Sequence, residues 1–297
     1  MKIAYLVLAH DKPRHLQRLI TALSSASASF FVHIDKKSES ADFEAIKGDR
    51  IRFLAERTSV FWGDFSQVEA ILSLLRAAIA DDGNFDRFVL LSGADYPLRS
   101  VSFIEQFFAS HPGNEFMNLV AMPSAAAGKP ISRLTTYRIR SGDSLLNKIS
   151  QKIRILIGVL PDQRDYKTVF KQFEPFAGST WWALSRVACE HILAFTAREA
   201  LVVEFFKNTV CPDESFFQTI LGNSRFRPAI VRNLTYTDWS AGAASPSVID
   251  EQHLALLRQN STFAAADTYG AGEMLFARKF NDDAGDLLVR LDQQLRS

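Results

Sequence analysis

The sequence has little cysteine and almost no net charge. Its 297 residues include two cysteines, Cys189 and Cys211, and neither lies at a spacing typical of metal ligands. This predicts a protein without a disulfide framework in a reducing compartment, and we expect it in the cytoplasm. Lys and Arg number 34 against 33 for Asp and Glu, which gives a formal charge of +1 and argues against nucleic-acid binding.

Long hydrophobic runs are also missing. The apolar run at residues 3–8 is too short to cross a bilayer. It also lacks the small-residue cleavage site that a signal peptide carries. We therefore interpret this run as a buried first strand and expect no transmembrane segment. Peripheral contact with a membrane is compatible with this pattern.

Three signatures of nucleotide and metal binding are absent. No Gly-x-Gly-x-x-Gly and no P-loop follows the first predicted strand, which argues against dinucleotide-binding and Walker-type proteins. No Asp-x-Asp occurs, although that motif would hold a divalent metal against the diphosphate of a sugar nucleotide. Residues 93–98, where it would be expected, offer one acid, Asp95. Arg or Lys would have to neutralise a diphosphate instead, so we expect no metal and no cofactor.

The hydrophobic periodicity favours an α/β fold. It predicts strands at residues 3–8, 30–35, 51–54, 88–92, 115–120 and 178–184, and helices at 15–23, 67–80, 100–112, 186–195, 250–259 and up to 295. This alternation is typical of a mixed, mainly parallel, Rossmann-type sheet flanked by helices, in which ligands bind at the carboxyl edge. We expect one domain over residues 1–297, with a nucleotide-binding half (1–120) and an acceptor-binding and catalytic half (121–297).

Two features near the predicted carboxyl edge suggest contacts with a nucleotide. Asp35 ends the second strand, where it would accept hydrogen bonds from a uracil or ribose; a solvated acid beside Lys36 and Lys37 is an equally good interpretation. Phe61 and Trp62 precede a glycine and a predicted helix, so they would either stack on a base or form a hydrophobic staple.

Residues 211–221 carry the most specific chemical signal. They begin with a proline and two acids, Asp213 and Glu214, which is typical of a helix start and makes helix capping the simplest interpretation of both acids. Tryptophans flank this stretch on both sides in the sequence: Trp181, Trp182 and Trp239. Sugar faces stack on aromatic rings, and one carboxylate can take a hydroxyl proton. The combination predicts a carbohydrate site in which one of these carboxylates takes the proton of a hydroxyl group, while helix capping remains the interpretation of the other.

Residues 121–172 show a looser pattern and many cations. The basic side chains there are Lys129, Arg133, Arg138, Arg140, Lys148, Lys152, Arg154, Arg164 and Lys167. We interpret this segment as an excursion over the sheet edge that helps to build the acceptor side, with Arg133 as an acceptor contact. A solvated basic face is an equally weighted alternative.

Together these stretches resemble the core-2/I-branching β-1,6-N-acetylglucosaminyltransferases and their relatives, the peptide O-xylosyltransferases. The matching residues follow the family order along nearly the whole chain: Ala9-His10, Val32-His33-Ile34-Asp35, Val60-Phe61-Trp62-Gly63, Leu91-Ser92-Gly93-Ala94-Asp95-Tyr96-Pro97-Leu98, Gly178-Ser179-Thr180-Trp181-Trp182, Pro212-Asp213-Glu214-Ser215-Phe216-Phe217, Thr237-Asp238-Trp239 and Phe276-Ala277-Arg278-Lys279-Phe280. The stretch at 214–217 is closer to the xylosyltransferase branch, and the compact length is similar to that of bacterial members.

The resemblance implies a GT-A-like fold, a UDP-sugar donor and an inverting transfer without metal, with Glu214 as the base. GlcNAc and xylose are the expected sugars, and a hydroxyl of a glycan or another molecule is the expected acceptor. The implied donor contacts are Ala9, His10, Asp35, Phe61, Trp62, Asp95, Arg278 and Lys279. Lys279 matches the family lysine that touches the diphosphate, and Arg278 or Arg258 would supply a second basic contact. The acceptor contacts are Trp181, Trp182, Trp239 and Arg133.

Two other function classes fit parts of the pattern. A sugar- or nucleotide-binding protein without catalysis would use the same aromatic residues but give Glu214 no chemical task. A glycoside hydrolase would need two opposed carboxylates about 5 to 9.5 Å apart, and the sequence supports only one, Glu214.

Overall fold

The structure is a computed structural model of the chain. It describes residues 1–141, 145–159, 163–240, 242, 245–259, 262–263 and 268–295. The strands are β1 (Ile3–Ala9), β2 (Ala28–Ile34), β3 (Ile51–Phe53), β4 (Arg87–Ser92), β5 (Asp95–Pro97), β6 (Glu115–Met117), β7 (Val120–Ala121), β8 (Phe176–Ala177), β9 (Trp182–Ser185), β10 (Ile230–Val231), β11 (Thr235–Thr237), β12 (Thr262–Phe263), β13 (Gly272–Glu273) and β14 (Phe276–Arg278). The α-helices are α1 (Pro13–Leu23), α2 (Phe65–Ala80), α3 (Val101–Ser110), α4 (Ser132–Thr135), α5 (Leu145–Leu156), α6 (Tyr166–Phe170), α7 (Arg186–Arg198), α8 (Ala200–Phe206), α9 (Phe216–Gly222), α10 (Glu251–Gln259) and α11 (Gly285–Leu295).

A seven-stranded sheet in the order β10-β6-β9-β4-β1-β2-β3 forms the centre of the fold. Its neighbouring strands are parallel except at β9, which is antiparallel to both β4 and β6. The predicted α/β architecture, a mixed and mainly parallel sheet flanked by helices, is confirmed. Strands β9 and β10 come from the second half of the chain and lie in the same sheet as β1 to β4, while the division into functional halves stays a prediction.

The central strands are apolar throughout because helices cover both faces of the sheet. In β1, Ala4 and Leu6 pack with α2, whereas Ile3, Tyr5 and Val7 face the layer that contains α1 and α3. Full burial of a large apolar side chain contributes about 1.5–3 kcal/mol, so these two layers supply most of the stabilising burial. The rigid sheet they form holds the loops at its carboxyl edge.

A second, three-stranded sheet brings the end of the chain to that edge. It has the order β11-β14-β5, and β5 follows β4 after a two-residue turn. Antiparallel pairing of β14 with β5 sets Arg278 opposite Asp95. Helices α10 and α11 cover this sheet through an apolar cluster that includes Leu254, Leu288 and Leu291.

The predicted helices at 15–23, 67–80, 100–112, 186–195 and 250–259 are all present with small shifts at their ends. Three local predictions differ. The strand expected at 115–120 is divided into β6 and β7, and the strand expected at 178–184 begins only at Trp182. The helix expected from Pro212 is a short 3₁₀ turn, Pro212–Glu214, followed by α9. Among the helices described, none combines the length and the hydropathy needed to cross a membrane.

Candidate active site

A cavity of about 1150 Å³ opens at the carboxyl edge of the central sheet. The loops after β1, β2 and β4 line it, and β9 points its amino end at it because this strand runs antiparallel to β4. The reversal brings residues 178–181 to the same edge. Pockets for one small ligand have volumes of about 300–1,000 Å³, so this cavity has room for a donor together with part of an acceptor.

Most residues predicted for the site line this cavity. They are Ala9, His10, Asp35, Trp62, Arg133, Trp181, Glu214, Trp239, Arg278 and Lys279. Phe61, Asp95 and Trp182 do not. Phe61 lies beside the cavity, with the ammonium of Lys37 4.3 Å from its ring centre.

Asp95 and Trp182 are core residues. Asp95 is fully buried and can act only through its partner Arg278. Trp182 begins β9 and is buried with its ring centre 5.9 Å from that of Phe217 in α9. The assignment of Trp182 as an acceptor contact is therefore corrected: its neighbour Trp181 is the tryptophan of this pair that lines the cavity.

Glu214 stands at the end of the 3₁₀ turn, on the cavity wall. Its carbonyl accepts a hydrogen bond from the Gly178 N–H at 2.8 Å. A Cβ at Gly178 would lie 1.8 Å from the carbonyl oxygen of Asn118, so only glycine lets residue 178 approach residue 118 this closely. From this position the Gly178 N–H holds the backbone of the predicted base.

Two cations bind one oxygen of the Glu214 carboxylate. Oε2 accepts from Lys129 Nζ at 2.6 Å and from Arg133 Nη1 at 2.5 Å. Burial alone would raise the pKa of Glu214, but Lys129 and Arg133 outweigh it and hold this pKa below its ordinary value. The other oxygen, Oε1, makes no hydrogen bond to the residues that the structure describes. Glu214 therefore stays ionised at neutral pH and keeps one acceptor oxygen available.

Asp213 does not cap the helix, contrary to the prediction. Its Oδ2 accepts from the Thr180 hydroxyl at 2.6 Å and from Gln67 Nε2 at 3.2 Å, and neither the 3₁₀ turn nor α9 has a side-chain cap. Oδ1 is buried without a hydrogen-bond partner among the described residues. Burial, followed by the charge of Glu214, raises the pKa of Asp213 to about 6. Two adjacent carboxyl groups thus have pKa values shifted in opposite directions.

Arg278 is held at the cavity by a buried acid and an indole ring. Its Nε lies 3.0 Å from Asp95 Oδ1, and its guanidinium carbon lies 4.2 Å from the centre of the Trp181 ring. Asp95 is tied in turn to the backbone N–H of Ser92 at 3.1 Å. Because the acid is fully buried and paired, the guanidinium has a fixed position at the cavity wall.

Lys279 lies beside Arg278 and has no carboxylate within ion-pair distance in the part of the chain that the structure describes. Burial and the nearby cations Arg278 and Lys12 lower its pKa. Burial is the largest cause of this lowering, and the charges of Arg278 and Lys12 add to it, so positive side chains lie close to one another at the cavity. Such a group of cations favours binding of an anion, since a phosphate would relieve the repulsion between them. The side chain of Arg258, the alternative second cation, lies outside the described part.

Asp35 is buried at the end of β2, so it is not the solvated acid of the alternative interpretation. Its Oδ1 accepts from the Lys37 N–H at 2.9 Å, and its Oδ2 lies 3.1 Å from Lys37 Nζ. The Asp35 N–H donates to the Ala9 carbonyl at 2.8 Å, which joins the loops after β1 and β2. Its contact with a nucleotide stays a prediction.

Two exposed tryptophans stand at the cavity. Trp62 is 71% exposed and Trp239 is 53% exposed, which is unusual for such large apolar side chains. The exposure of Trp62 argues against the hydrophobic-staple alternative for this residue. Trp239 lies just after β11, in a segment that we call the Trp239 loop. Asp238 holds this loop in place, because its Oδ2 lies 3.1 Å from Nε2 of His253. Both rings are free to stack on a sugar or base.

The family follows from the sequence along most of the chain. The sequence model of the Core-2/I-Branching enzyme family matches residues 3–258. The chain belongs to this family. The predicted family is thereby confirmed.

Curated relatives of this Core-2/I-Branching enzyme are xylosyltransferases. Xylosyltransferase 1 of Rattus norvegicus is 26% identical over 255 residues, which cover 81% of this chain and 28% of the relative. Xylosyltransferase 2 of Homo sapiens is 26% identical over 253 residues, which cover 81% of this chain and 27% of the relative. The chain therefore spans a little over a quarter of the length of these relatives.

Among solved structures, the apo form of mouse xyloside xylosyltransferase 1 aligns with a TM-score of 0.38 at 10% identity. The alignment covers 93% of this chain and 97% of the mouse chain. A crystal structure of 4-diphosphocytidyl-2C-methyl-D-erythritol synthase aligns with a TM-score of 0.34 at 10% identity, over 69% of this chain and 85% of that one.

The sequence of this family member did not reveal which residues contact Asp213. Thr180 belongs to a matching motif, but nothing in the motif assigns it to Asp213, and Gln67 is a common polar residue 146 positions away. Lys129 lies in the basic region at residues 121–172, for which a solvated face was an equally good interpretation. Only the folded structure distinguishes it from the other cations of that region. Of that region, Lys129 and Arg133 converge on Glu214, whereas Lys152 and Arg154 are exposed.

Acidic clusters suited to a metal are not found in the described ranges. No three His, Cys, Asp or Glu side chains there lie close enough to share an ion. Metal independence stays a prediction about the reaction.

Proposed function

We propose that this Core-2/I-Branching enzyme is an inverting, metal-independent glycosyltransferase that moves a sugar from a UDP-sugar to an acceptor hydroxyl. The observation that carries the proposal is the carboxylate of Glu214 on the wall of a cavity that also exposes Arg278 and Lys279. This carboxylate is ion-paired through Oε2, and its Oε1 has no hydrogen bond to the described residues. A base, an anion site and stacking rings in one cavity are the parts that such a transfer needs.

The donor diphosphate would bind at Arg278 and Lys279. Each desolvated, charge-assisted contact to a phosphate oxygen contributes about 1.5–3 kcal/mol. As the bond between the anomeric carbon and the phosphate oxygen breaks, its electron pair stays on UDP. The two cations stabilise that charge in the transition state, which is the task a divalent metal has elsewhere.

Glu214 Oε1 would take the proton of the acceptor hydroxyl while that oxygen attacks the anomeric carbon from the face opposite UDP. Help of this kind contributes about a hundred- to ten-thousand-fold in rate. Lys129 and Arg133 keep Glu214 ionised, at the expense of some proton affinity. After the transfer the neutral acid faces two cations, which favours release of the proton to water and readies the site for the next turnover.

The acceptor would approach past Trp62 and Trp239, whose rings can stack on sugar faces. The similarity to xylosyltransferases and the family description make xylose and N-acetylglucosamine the first sugars to test. Both cysteines are free thiols, which fits the proposed cytoplasmic location.

A glycoside hydrolase is less well supported, although the paired carboxylates invite the comparison. Such an enzyme needs a protonated acid within reach of the glycosidic oxygen. Asp213 has the raised pKa of an acid, but its Oδ1 is buried and its Oδ2 is bonded to Thr180 and Gln67. A binding protein without catalysis would use the same cavity but would give the ionised carboxylate of Glu214 no chemical task.

The test is UDP release from UDP-xylose, UDP-GlcNAc, UDP-glucose and UDP-galactose in EDTA, with product stereochemistry read by NMR. We expect release with at least one donor and inverted configuration at the new bond. Glu214→Gln should lower turnover by about two orders of magnitude or more with donor affinity little changed. Complete loss of wild-type activity in EDTA with rescue by manganese would refute the metal-free mechanism, and normal turnover of Glu214→Gln would refute the assigned base.

A further inference from the structure

Helix α5 differs from the packed helices of the fold because none of its twelve residues is buried. Its large apolar side chains face solvent: Leu146 is 79% exposed and Leu156 is 86% exposed. Isolated exposed leucines are common on protein surfaces, but a contiguous exposed set on one helix marks an interaction surface.

The exposed apolar side chains form a single stripe. Leu145, Ile149, Ile153 and Leu156 are spaced by three or four residues, which places them on one face, and Leu146 lies beside them. The less exposed residues of the helix, Lys148, Gln151 and Ile155, lie on the other side. Lys148 Nζ donates to the Ser141 carbonyl at 2.7 Å, so this other side faces the protein body. Leu145 and Ile149, at the edge of the stripe nearest Lys148, line a shallow cavity with residues 139–141. The rest of the stripe faces solvent, and each of its five side chains keeps 46% or more of its surface exposed.

The helix is also basic. It carries Lys148, Lys152 and Arg154 and no acid. The apolar stripe has Lys152 along one edge and Arg154 beyond the other, an arrangement that suits a surface with an apolar interior and anionic groups at its boundary. A protein of formal charge +1 thus concentrates three cations and six large apolar side chains on one short helix, five of them in the stripe.

We propose that α5 is a docking helix for an anionic lipid bilayer, with its apolar stripe in the headgroup boundary and Lys152 and Arg154 against lipid phosphates. Charge complementarity favours this occupant over a second copy of the chain. Two α5 helices packed stripe to stripe would bring their cations together without an acid on either helix to offset them.

Docking would orient the cavity. The segment before α5 bonds to the cavity wall, since Ser141 N–H donates to Asp64 Oδ2 at 2.8 Å and Arg138 Nη2 donates to the Trp62 carbonyl at 3.0 Å. A bilayer at α5 therefore lies on the Trp62 side of the cavity. The docking surface itself depends on neither the donor nor the reaction.

Flotation of the full chain with vesicles tests the proposal. We expect flotation with phosphatidylcholine vesicles that contain phosphatidylglycerol, little with phosphatidylcholine alone, and loss of binding in high salt. The double variant Leu146→Glu, Ile153→Glu should no longer float, and Lys152→Gln should lower the partition coefficient about fivefold. Leu201→Glu is the matched control, because Leu201 is an isolated exposed leucine on α8, 74% exposed, and it should float like the wild type.

Three outcomes would overturn the proposal. In the first, the wild-type protein does not float with the anionic vesicles. In the second, the double variant still floats. In the third, sedimentation shows a dimer that depends on the apolar stripe, and the protein does not bind vesicles. Melting temperatures of all variants show whether they fold. None of these measurements uses a UDP-sugar, so failure here leaves the proposed transfer reaction unaffected, and failure of that reaction leaves the docking surface unaffected.

Discussion

Lys129 Nζ lies 2.6 Å from Glu214 Oε2, although the two residues are 85 positions apart in the chain. The pair is partly buried, and Arg133 approaches the same oxygen. These two cations hold the carboxylate in a single orientation and in its ionised form. This arrangement explains how an acid at the end of a 3₁₀ turn could be positioned for chemistry rather than for capping.

Lys129→Met should move the acidic limb of the pH–rate profile to higher pH. Lys129 helps to hold the pKa of Glu214 below its ordinary value, so its removal raises that pKa and protonates the base at a higher pH. The depressed pKa also stabilises the fold above the unfolded-state pKa, and this contribution is lost as the pH falls through the folded-state pKa. Near neutral pH the variant should lose about 1–3 kcal/mol of stability.

The measurement is kcat against pH together with urea unfolding at neutral and acidic pH. Lys47→Met serves as the control, since Lys47 is an exposed lysine away from the cavity. An unchanged acidic limb in Lys129→Met would mean that Glu214 does not govern the rate.

Asp213→Asn should gain stability relative to the wild type as the pH rises. Burial and the charge of Glu214 raise the pKa of Asp213 from 3.8 to about 6. A raised folded-state pKa gives stability that is complete below the unfolded-state value and is lost as the pH rises through about 6. Asparagine does not ionise, so the variant does not lose this stability. When the pH is raised from below 3.8 to above 6, the unfolding free energy of the variant should therefore increase by about 1–3 kcal/mol relative to that of the wild type.

Unfolding of both proteins across that range measures the shift. Adding Glu214→Gln should reduce it, because the neighbouring charge that raises the pKa of Asp213 is then absent. A difference independent of pH would show that Asp213 titrates as an ordinary surface acid.

Lys279→Ala should weaken UDP binding by about ten- to a hundredfold, which corresponds to the 1.5–3 kcal/mol of a desolvated contact between a cation and a phosphate. Titration calorimetry with UDP and with uridine separates the diphosphate from the nucleoside, and only UDP should lose affinity. Lys47→Ala should bind both ligands normally. If Lys279→Ala weakens uridine equally, Lys279 supports the pocket without contacting the diphosphate.

The sequence was sufficient to predict the parts of this fold that depend on local pattern. Strands β1, β2 and β4 are contiguous apolar runs because both of their faces are covered, and the ends of such strands indicated the cavity edge. Residues 211–221 stood out because a proline and two acids lie there in a tryptophan-flanked stretch, and the resemblance to the family indicated Glu214 within it.

Pairings between distant residues left no such pattern. Arg278 meets Asp95 across 183 positions, only because β14 pairs with β5. Asp213 was expected to cap a helix, since the favourable helix dipole is a local effect; the fold instead brings Thr180 within 2.6 Å. Trp181 and Trp182 are equivalent in sequence, and only the start of β9 decides which indole ring enters the core.

The Trp239 loop should make acceptor binding sensitive to pH through His253. This imidazole lies between two acids, with Nε2 3.1 Å from Asp238 Oδ2 and Nδ1 2.6 Å from Asp250 Oδ1. Burial lowers the pKa of His253, but the two acids outweigh it and the net shift is upward. The ion pairs are therefore complete below the ordinary pKa of 6.5 and are lost as the pH rises through the raised value.

We expect KM for the acceptor to rise over that range by about two- to tenfold, which corresponds to the loss of one aromatic stacking contact, with kcat little changed. Trp239→Ala should have the high KM at every pH, and His253→Gln should have a KM that no longer responds to pH. An acceptor KM in Trp239→Ala equal to that of the wild type would remove Trp239 from the acceptor site and, with it, the reason for the pH effect.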